Sequence, residues 1–374
     1  MQINTVESIS QIKKFCNENF RDKNPFISYE FFELLEKTNC TVNSKGWIPE
    51  HIIIKDKNKL IGLIPNFRKL NSYGEFVFDQ IFENAFYQLG RDYFPKFLSA
   101  IPFTPVTRNN FLYCSHEVND AELFSKLKVF LQKKNISSFH INFIDKIIST
   151  KLKNYFHQRV GIQYHWRNNK YKSFDHFLSH LKSIKKKNIL KERKFIEDKD
   201  IKFTIKVGKD INDVDLLNLY QCYSHTIHKK WSQEYLTKEF FLQLLNSNLI
   251  KDTILISASL GGKFIGCSVH FKKNKNLFGR YWGALQEIPN LHFELCYYQA
   301  IEYAISNDLE LVEAGAQGEH KISRGYLPVK TFSCHWFNND ILDKPISNFL
   351  IQEEQKIINT LNYLEKKFSP FNDK

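Results

Sequence analysis

The sequence lacks several features that would place it directly in a class of protein. Its apolar stretches stay well short of the roughly 18 consecutive residues that a membrane-spanning helix needs. Its first residues, MQINTVESISQIKKF, contain no apolar signal-peptide core. The seven cysteines are odd in number, scattered, and never spaced as C-x-x-C, which argues against a disulfide framework and a structural zinc site. We therefore expect a cytoplasmic protein that binds no structural metal.

Arginine is scarce and lysine abundant. Only nine of the 53 basic residues are arginine, and with 40 acidic residues the formal net charge is +13. A basic protein favours polyanionic partners such as RNA, nucleotide phosphates or anionic membrane surfaces. Lysine-rich usage also arises from an AT-rich coding sequence, so a functional basic surface and a compositional background both stay open at this point.

What the chain does have is length and aromatic content. Its 374 residues are 43% hydrophobic and 15% aromatic, enough for sizeable cores and incompatible with wholesale disorder. A chain of this length suits two domains of ordinary size.

A pattern of elements occurs twice. Residues 51–79 and 253–283 each show an apolar strand, a short polar turn, a second strand that contains Ile-Gly, and an aromatic-rich third strand. The Ile-Gly pairs are Ile61-Gly62 and Ile265-Gly266. Strand–turn–strand alternation that leads into a helix is typical of an α+β or α/β sheet domain. The sequence therefore predicts a duplicated domain.

A helix is predicted after each copy, over residues 91–101 in the first and over 291–306 in the second. Asn290 is the predicted N-cap of the second helix. The apolar face of that helix is predicted to consist of Phe293, Tyr297, Ala300 and Ala304.

Ionisable and aromatic side chains concentrate between Phe278 and Pro328. One strand carries Arg280, Tyr281 and Trp282, and a later strand, LELVEAG, leads into a loop over 313–328 in which ionisable groups stand beside glycines. Ordinary surface loops rarely combine so many different polar functions. This block is the predicted location of an active site.

Several sequence blocks resemble one known family. NPFISYEFFELLE, YFPKFLSAIPFTPVT, KKKNILKER and EAGAQGEHKISRGYLP look like the FemAB-like peptidoglycan biosynthesis/recognition proteins, relatives of the Fem aminoacyl-transferases, and the resemblance extends over roughly residues 24 to 370. It implies an α+β fold of two tandem GNAT-like domains with a C-terminal helix. Residues 1–167 would form the first domain, on the acceptor side, and 168–374 the second. One departure is Arg108, where the motif PFTPVT is expected to continue with glycine.

The resemblance implies N-acyl transfer, with aminoacyl-tRNA as donor, an amine of a peptidoglycan precursor as acceptor, and no tightly bound cofactor. Acetyl-CoA is the alternative donor. GNAT enzymes that use it carry an R/Q-x-x-G-x-G/A loop whose backbone amides hold the pyrophosphate. The corresponding junction here reads ALQEIPNLHFE, with no glycine after Gly283 and a proline that removes one donor. A non-catalytic module that binds peptidoglycan or RNA is the alternative outside the enzymes.

Acyl transfer to an amine needs a base for the ammonium, a donor for the developing oxyanion, and exclusion of water. Glu294 is a candidate base because a helix N-terminus favours its carboxylate. His320 is a second candidate because histidine titrates near neutral pH, and Glu313, at a strand end, is a third. One hypothesis makes Glu294 and His320 base and orienter. Candidates for substrate binding are Arg280, Tyr281, Trp282, His292, Gln317, Glu319, Lys321 and Arg324, of which Arg280, Lys321 and Arg324 are candidates for binding an anion.

In the first domain, Tyr73, Glu75 and Asp79 are candidates to line a groove for the acceptor, which is expected in the cleft between the domains. Because side chains alternate along a strand, the prediction is restricted to one face.

Residues 173–200 are predicted to form one long amphipathic helix, with Ser173 as N-cap and an apolar stripe from Phe174 to Ile184. Between Lys182 and Lys194, seven basic residues accompany one acid. Such a run is usually a solvated face, and the functional alternative is a track for tRNA phosphates or a nucleotide-sugar diphosphate. The candidate anion-binding residues are Lys185, Lys186, Lys187, Lys191 and Arg193. The stretch 346–367 is predicted to be a structural helix.

Overall fold

The structure is a computed structural model, and it describes residues 1–22, 24–229, 233–316 and 318–372. The strands of the described chain are β1 (Gln2–Val6), β2 (Trp47–Pro49), β3 (His51–Asp56), β4 (Lys59–Ile64), β5 (Phe67–Lys69), β6 (Lys96–Ser99), β7 (Tyr113–Cys114), β8 (Ser138–Ile144), β9 (His157–Arg167), β10 (Ile201–Val207), β11 (Thr253–Leu260), β12 (Lys263–Lys273), β13 (Asn276–Ala284), β14 (Leu311–Glu313) and β15 (Leu327–Phe337).

The α-helices of the same residues are α1 (Lys13–Asn19), α2 (Tyr29–Lys37), α3 (Gln80–Gln88), α4 (Asp120–Lys133), α5 (Lys146–Leu152), α6 (Phe174–Ser179), α7 (Ser183–Glu197), α8 (Asp213–Lys229), α9 (Lys238–Gln243), α10 (Leu291–Phe293), α11 (Gln299–Ser306) and α12 (Asp340–Phe368). A π-helical turn, Glu294–Tyr298, joins α10 to α11. Short 3-10 turns are Ile9–Ile12, Asn43–Lys45, Gly208–Asp210, Leu244–Asn246, Asn248–Asp252 and Glu319–Arg324.

Polar side chains fix where several helices begin. In each of five cases a side-chain oxygen accepts a hydrogen bond from the backbone N–H three residues further along, which satisfies one of the free donors of the first turn. These caps are Ser28, Asn119, Asp145, Ser173 and Thr237. The predicted cap at Ser173 is thereby confirmed.

The chain divides into two compact units. The first comprises Met1–Gly161 and Lys330–Asn359, and the second comprises Ile162–Val329 and Thr360–Lys374. The sequence places the domain boundary at residue 167 and assigns the rest of the chain to the second domain. The units instead change over inside β9 and β15, and the segment 330–359 belongs to the first unit because His335, Phe337 and the start of α12 pack in its core.

The first unit contains two groups of paired strands. Strands β1, β3, β4 and β7 pair in that order, all antiparallel. In the other group, β15 pairs antiparallel with β8, β8 lies parallel to β6, and β5 pairs antiparallel with both β6 and β2. Buried side chains of β8 and of α4, such as Ile141 and Leu127, share one core cluster, while Phe82, Phe86 and Leu342 belong to another.

In the second unit, β10, β11, β12 and β13 form antiparallel pairs in that order. Strand β14 joins β13 in parallel and β9 in antiparallel fashion. The face that carries Leu277 and Val312 packs against α6, α7 and the helix that includes Ala300. The other face meets α8 closely, because a Cβ at Gly283 would overlap the carbonyl oxygen of Cys222.

The duplication is confirmed by the order of elements. Each unit has a strand, two helices, an antiparallel hairpin, a third strand, a helix and another strand. In the first unit these are β1, α1, α2, β3–β4, β5, α3 and β6, with β2 added before the hairpin, and in the second they are β10, α8, α9, β11–β12, β13, α10–α11 and β14. The α+β fold of two GNAT-like domains with a C-terminal helix is therefore confirmed. The helix predicted at 346–367 extends over Asp340–Phe368.

The helix predicted over 91–101 is wrong. The helix of the first repeat is Gln80–Gln88, and Lys96–Ser99 is a fully buried strand between β5 and β8. A proline at position 95 has no N–H for a helical hydrogen bond, and the short, mostly apolar run that follows fits a buried strand.

The single long helix predicted over 173–200 is also wrong. Helices α6 and α7 are separated by residues 180–182, where the Lys182 N–H donates to the carbonyl of Pro370 and Leu181 forms a β-bridge with Phe371. Ile184, predicted in the apolar stripe, is 65% exposed. A contact with the distant C-terminus ends the first helix, and local periodicity does not contain that information.

Asn290 is not a side-chain cap. It has φ of 70° and its side chain makes no capping bond, although its carbonyl accepts a hydrogen bond from the Glu294 N–H. Asparagine tolerates the left-handed region better than most residues, which explains its presence at this turn. Arg108 does not adopt a positive φ, so it carries no left-handed strain. Its N–H donates to the Phe143 carbonyl and its guanidinium to the Ser99 carbonyl.

Candidate active site

Strands β13 and β14 pair only briefly and then part. In the described chain, residues 276–278 of β13 pair with Leu311–Glu313, after which β13 continues to Ala284 while the chain beyond Glu313 leaves the sheet. A cavity of about 60 Å³ opens where the strands separate, and we call it the inner pocket. Its walls include Ser268, His270, Trp282, His292, Cys296 and Tyr297.

A larger groove of about 600 Å³ adjoins the inner pocket, and we call it the outer groove. Residues of α8 and of the segment between β13 and α10 line it, among them Thr226, Gln286 and Phe293. Trp282 and His292 line both spaces, and their ring centroids are 4.3 Å apart. The two spaces therefore share a wall of two aromatic rings.

The π-helical turn sets which side chains face the inner pocket. The Gln299 N–H donates to the Glu294 carbonyl, five residues earlier, and π turns of this kind occur frequently at functional sites. Cys296 and Tyr297 line the inner pocket, whereas Glu294 lines a different cavity of about 630 Å³ beside α7 and β10.

His320 is placed next to the inner pocket by its contact with Tyr297, which lines that pocket. The Tyr297 hydroxyl and His320 Nε2 are 2.9 Å apart, and the ring of His320 is exposed. Partial burial and the nearby cations Arg324 and Lys321 hold the pKa of His320 below its usual value, so the neutral ring predominates at pH 7. Burial raises the pKa of Tyr297, which stays protonated. The pair can accept one proton and donate another.

Arg324 fastens the loop that carries His320. Its guanidinium donates to the Glu192 carboxylate, to the Tyr298 hydroxyl and to the His320 carbonyl, and it lies 3.5 Å from the ring centroid of Phe293. The sequence suggests that the Arg324 guanidinium binds an anionic ligand. In the structure its N–H groups instead bond to Glu192, Tyr298 and the His320 carbonyl, and these bonds hold the loop in place.

Lys321 is also turned inward. Its ammonium donates to the Gly315 carbonyl, and burial lowers its pKa to about 8. Glu319 is exposed at the start of the same 3-10 turn. Gln317, another predicted substrate ligand, lies outside the described residues.

Glu294 forms a buried ion pair rather than a pair with His320. Its carboxylate accepts from the Arg193 guanidinium at 2.9 Å and from the Gln299 amide at 2.8 Å. Burial raises the pKa of Glu294, and Arg193 opposes this shift. Glu294 and His320 therefore have different hydrogen-bond partners and do not form a pair. Of the two, His320 is the residue that contacts Tyr297 beside the inner pocket.

Glu313 faces the other side of the sheet. Its neighbour Val312 belongs to the core beneath α10 and α11, and alternation along the strand directs Glu313 away from that core. Its Oε2 lies 3.9 Å from His165 Nε2 and accepts no hydrogen bond from the described residues. Burial raises the pKa of Glu313 to about 8, opposed by Arg280 and Arg167.

Replacing Glu313 by glutamine is expected to stabilise the protein at pH 8 and to have little effect near pH 4.5. A carboxyl whose folded pKa is raised loses stability as the pH rises from its unfolded pKa to its folded pKa, and each pKa unit corresponds to about 1.4 kcal/mol. Because the pKa stays raised to about 8 even with both arginines nearby, we expect a gain of at least about 2 kcal/mol in the free energy of unfolding at pH 8. Urea unfolding at the two pH values measures it, and an equal effect at both would contradict the assignment.

Tyr281 and Trp282 of β13 make their ring contacts on opposite sides of the strand, as alternation requires, and a bulge at Arg280 interrupts the alternation. Trp282 faces His292, whereas Tyr281 packs against Tyr223 at 5.4 Å between ring centroids. Arg280 is the extra residue of a β-bulge, since Val269 pairs with Tyr281 and His270 with Gly279. All three line the inner pocket, with Tyr281 also committed to the packing against α8 and α9.

In the first unit, Glu75 and Asp79 are buried in a polar network, while Tyr73 is 58% exposed. Both carboxylates bond to the ammonium of Lys96, and the Tyr93 hydroxyl donates to Asp79. These acids face buried cations, not an open groove, because burying a carboxylate requires a partner.

That network includes residues which the sequence analysis missed. Lys69 is fully buried, and burial lowers its pKa to about 7. His140 Nε2 lies 2.9 Å from the Tyr93 hydroxyl, and His140 Nδ1 lies 2.6 Å from Nδ1 of His335. The signal was a single ionisable residue within each otherwise apolar strand, as in FPKFLS, SFHINFI and SCHWF.

The predicted anion-binding residues lie on α7 and differ in exposure. Lys187 and Lys191 are exposed, Lys185 and Lys186 are half-buried, and Arg193 is engaged by Glu294 and Glu302. Lys187 and Lys191 are therefore the most exposed of these five residues.

In the described ranges, no group of three or more His, Cys, Asp or Glu side chains is arranged to hold a metal ion. All seven cysteines are free thiols. None of the helices in the described part of the chain combines the length and apolarity that crossing a bilayer requires.

Solved structures share this architecture. A conserved protein of unknown function from Bacteroides thetaiotaomicron is 11% identical, with a TM-score of 0.51 over 89% of this chain and 99% of that chain. L-PGS from Bacillus licheniformis is 8% identical, with a TM-score of 0.51 over 96% and 99%. FemX is 10% identical, with a TM-score of 0.49 over 94% and 100%. At such identities the first two show a shared fold. No curated protein sequence matches the chain.

A family described as FemAB-like, peptidoglycan biosynthesis/recognition, matches residues 7–373. The match includes both units and the loop that carries His320. The chain therefore belongs to the FemAB-like family of peptidoglycan biosynthesis/recognition proteins.

Proposed function

We propose that this protein is a Fem-like N-acyltransferase that joins an acyl or aminoacyl group to an amine, with the reaction centre at the mouth of the inner pocket. The supporting observation is the separation of β13 from β14 beside the Tyr297–His320 pair. The parting strands leave a cavity between two neighbouring strands of the sheet, and the neutral histidine beside it can take a proton.

The chemistry assigns one role to each group. The amine nitrogen attacks the carbonyl of the carrier ester or thioester, and its proton passes to His320. We assign the stabilisation of the developing oxyanion to a backbone amide of β13, close to where its pairing with β14 ends at Phe278. As the bond to the carrier breaks, the leaving oxygen or sulfur takes a proton from the Tyr297 hydroxyl, which His320 replaces across their hydrogen bond.

Aminoacyl-tRNA is the donor that we propose, with acetyl-CoA as the alternative. The exposed ammonium groups of Lys187 and Lys191 favour a polyanion, and the segment before α10 has no glycine-rich loop for a pyrophosphate. Family membership supports an amine of a peptidoglycan precursor as acceptor. We further propose that the protein acts in the cytoplasm, because its seven cysteines are unpaired thiols.

The test is to incubate the purified protein with a peptidoglycan-precursor amine and either a pool of charged tRNA or acetyl-CoA, and to measure the mass added to the amine. An aminoacyl mass that appears only with charged tRNA, and is lost after ribonuclease treatment, supports the proposal. An acetyl mass supports the alternative donor. Binding of RNA or of the precursor with no product from either donor would instead indicate a non-catalytic binding module.

The double substitution Lys187→Ala and Lys191→Ala is expected to weaken tRNA binding and to reduce its salt dependence. Removing one ammonium that neutralises a phosphate should lower the magnitude of the slope of log K against log salt by about 0.7–0.9, so the double variant should lose about 1.4–1.8. Filter binding across salt concentrations measures the slope. Lys128→Ala with Lys133→Ala, two exposed lysines on α4, is the matched control. Equal slopes in the two double variants would exclude α7 as the RNA-binding surface.

A further inference from the structure

A buried histidine that the proposed mechanism does not use forms part of the inner pocket. His270, on β12, is 1% exposed and pairs with Gly279 of β13. Among the described residues, its Nδ1 has no hydrogen-bond partner. A buried acceptor left without a donor is unfavourable, and such an atom beside a cavity indicates a ligand or an ordered water.

The hydrogen bonds behind His270 determine its tautomer. The Ser268 hydroxyl donates its single proton to the carbonyl of Leu295, in the π-helical turn, at 2.9 Å. The same hydroxyl lies 3.0 Å from His270 Nε2, so Nε2–H must be the donor to Ser268. Burial lowers the pKa of His270 to about 4, which keeps the ring neutral. Nδ1 is therefore an unprotonated acceptor, oriented by Ser268 and Leu295.

Gly279 leaves room in front of this acceptor. A Cβ at position 279 would lie 3.2 Å from His270 Nδ1 and 3.3 Å from the Glu313 carbonyl oxygen. Both atoms accept hydrogen bonds and neither donates. The space beside Gly279 thus suits a small group that carries N–H or O–H, and any side chain at position 279 would intrude on it.

We propose that the inner pocket holds the small end of the acyl group, and that His270 Nδ1 selects an acyl group with an N–H or O–H donor at that end. This inference rests on the proposed N-acyl transfer. The pocket of about 60 Å³ has room for about four water-sized groups. A glycyl, alanyl or seryl group fits such a space, whereas larger side chains do not. The carrier would occupy the outer groove, which shares Trp282 and His292 with the inner pocket.

The acyl group suits this position better than the attacking amine does. The attacking nitrogen must lose a proton, and a ring with the lowered pKa of His270 is a poor acceptor of protons from an ammonium. His320, with its exposed ring, is available to that nitrogen instead. His270 therefore makes a static hydrogen bond and determines specificity.

The experiment uses three acyl groups of similar size that differ at one position: glycyl carries an ammonium, glycolyl a hydroxyl and propionyl a methyl group. Each is prepared on a tRNA acceptor minihelix and on CoA, and initial rates of amide formation are measured with the full-length protein. Wild type should transfer glycyl and glycolyl at least about tenfold faster than propionyl, because propionyl leaves Nδ1 without a donor. A difference of less than about twofold would overturn the inference.

Three variants locate the effect. In His270→Leu the preference should fall to within about twofold, whereas His270→Asn, which can place a carbonyl oxygen near the Nδ1 position, should retain part of it. Gly279→Ala keeps the Ser268–His270 bond but fills the space, so it should slow all three acyl groups. Melting curves establish that each variant folds, and the wild-type series decides the matter if one does not. Unchanged selectivity in folded His270→Leu contradicts the role of His270.

The outcomes separate the two proposals. Transfer of all three acyl groups at similar rates leaves the proposed function standing and removes the selection by His270. Transfer of none of them from either carrier, by a protein that binds the precursor, removes the proposed function and with it this inference.

Discussion

Replacing His320 by alanine is expected to slow amide formation by roughly 10²- to 10⁴-fold, the usual contribution of a positioned general base. The ring is exposed beside the inner pocket, is held by the Tyr297 hydroxyl, and has a lowered pKa that favours its neutral form. Because Arg324 bonds the His320 carbonyl and not its ring, the loop should keep its conformation. Single-turnover rates with saturating donor measure the change.

The pH profile distinguishes a base from a binding residue. A neutral imidazole accepts a proton and an imidazolium does not, so the wild-type rate should fall as the pH drops through a pKa below the ordinary histidine value. His320→Ala should lose this acidic limb as well as the rate. His116→Ala, at an exposed histidine of the first unit, should change neither. A folded His320→Ala variant with more than about a third of the wild-type rate would exclude His320 as the base.

Replacing Lys96 by alanine is expected to destabilise the first unit by about 3–5 kcal/mol, because it removes the ion-pair partner of buried Asp79 and leaves buried Glu75 with only Lys69, 3.8 Å away. Glu75 and Asp79 both bond to the Lys96 ammonium, and all three side chains are at most 3% exposed. Burial raises the pKa of Glu75. For Asp79, burial acts to raise the pKa, but the attraction of Lys96 together with hydrogen bonds from Lys96, Ser72 and Tyr93 outweighs it, and the pKa is lowered. Urea unfolding at pH 7 measures the loss.

The loss should shrink as the pH falls. In wild type the lowered pKa of Asp79 stabilises the fold at neutral pH, and this contribution disappears as the pH drops through that pKa. In Lys96→Ala the carboxyls of Glu75 and Asp79 can protonate at acidic pH. Protonation removes their buried negative charge, so the substitution costs less stability there. Lys128→Ala, at an exposed lysine, should stay within about 0.5 kcal/mol of wild type at every pH. A penalty for Lys96→Ala below about 1 kcal/mol at pH 7 would show that water already solvates the two acids.

The elements that follow from local pattern could be predicted. The hairpins β3–β4 and β11–β12 have alternating strands around short polar turns, and the C-terminal helix has an uninterrupted period. The break between α6 and α7 at residues 180–182 could not be predicted in this way. It depends on contacts of Leu181 and Lys182 with residues about 190 positions later in the chain. The π-helical turn has no sequence period that distinguishes it from an α-helix.

For the candidate site, the sequence indicated which residues are close together better than how they are paired. Trp282 and His292 line the inner pocket, and the ring of His320 lies 6.1 Å from that of His292, so residues of one sequence block do come close together. The partner of Glu294 is Arg193, on a helix about 100 residues earlier, and sequence spacing says nothing of such a pair. His270 was missed because a histidine in SVHF resembles any polar residue in a strand, until its Ser268 partner and the facing Gly279 are known.

The division of the chain has a consequence for synthesis. The first unit needs Lys330–Asn359, whose His335 and Phe337 contact His140 and Phe82 in its interior. A ribosome has therefore made the strands of the later unit before the earlier unit can be finished. A fragment that stops at residue 161 would expose Phe82 and leave His140 without its imidazole partner. To express the N-terminal unit alone, residues 330–359 would have to be joined to it.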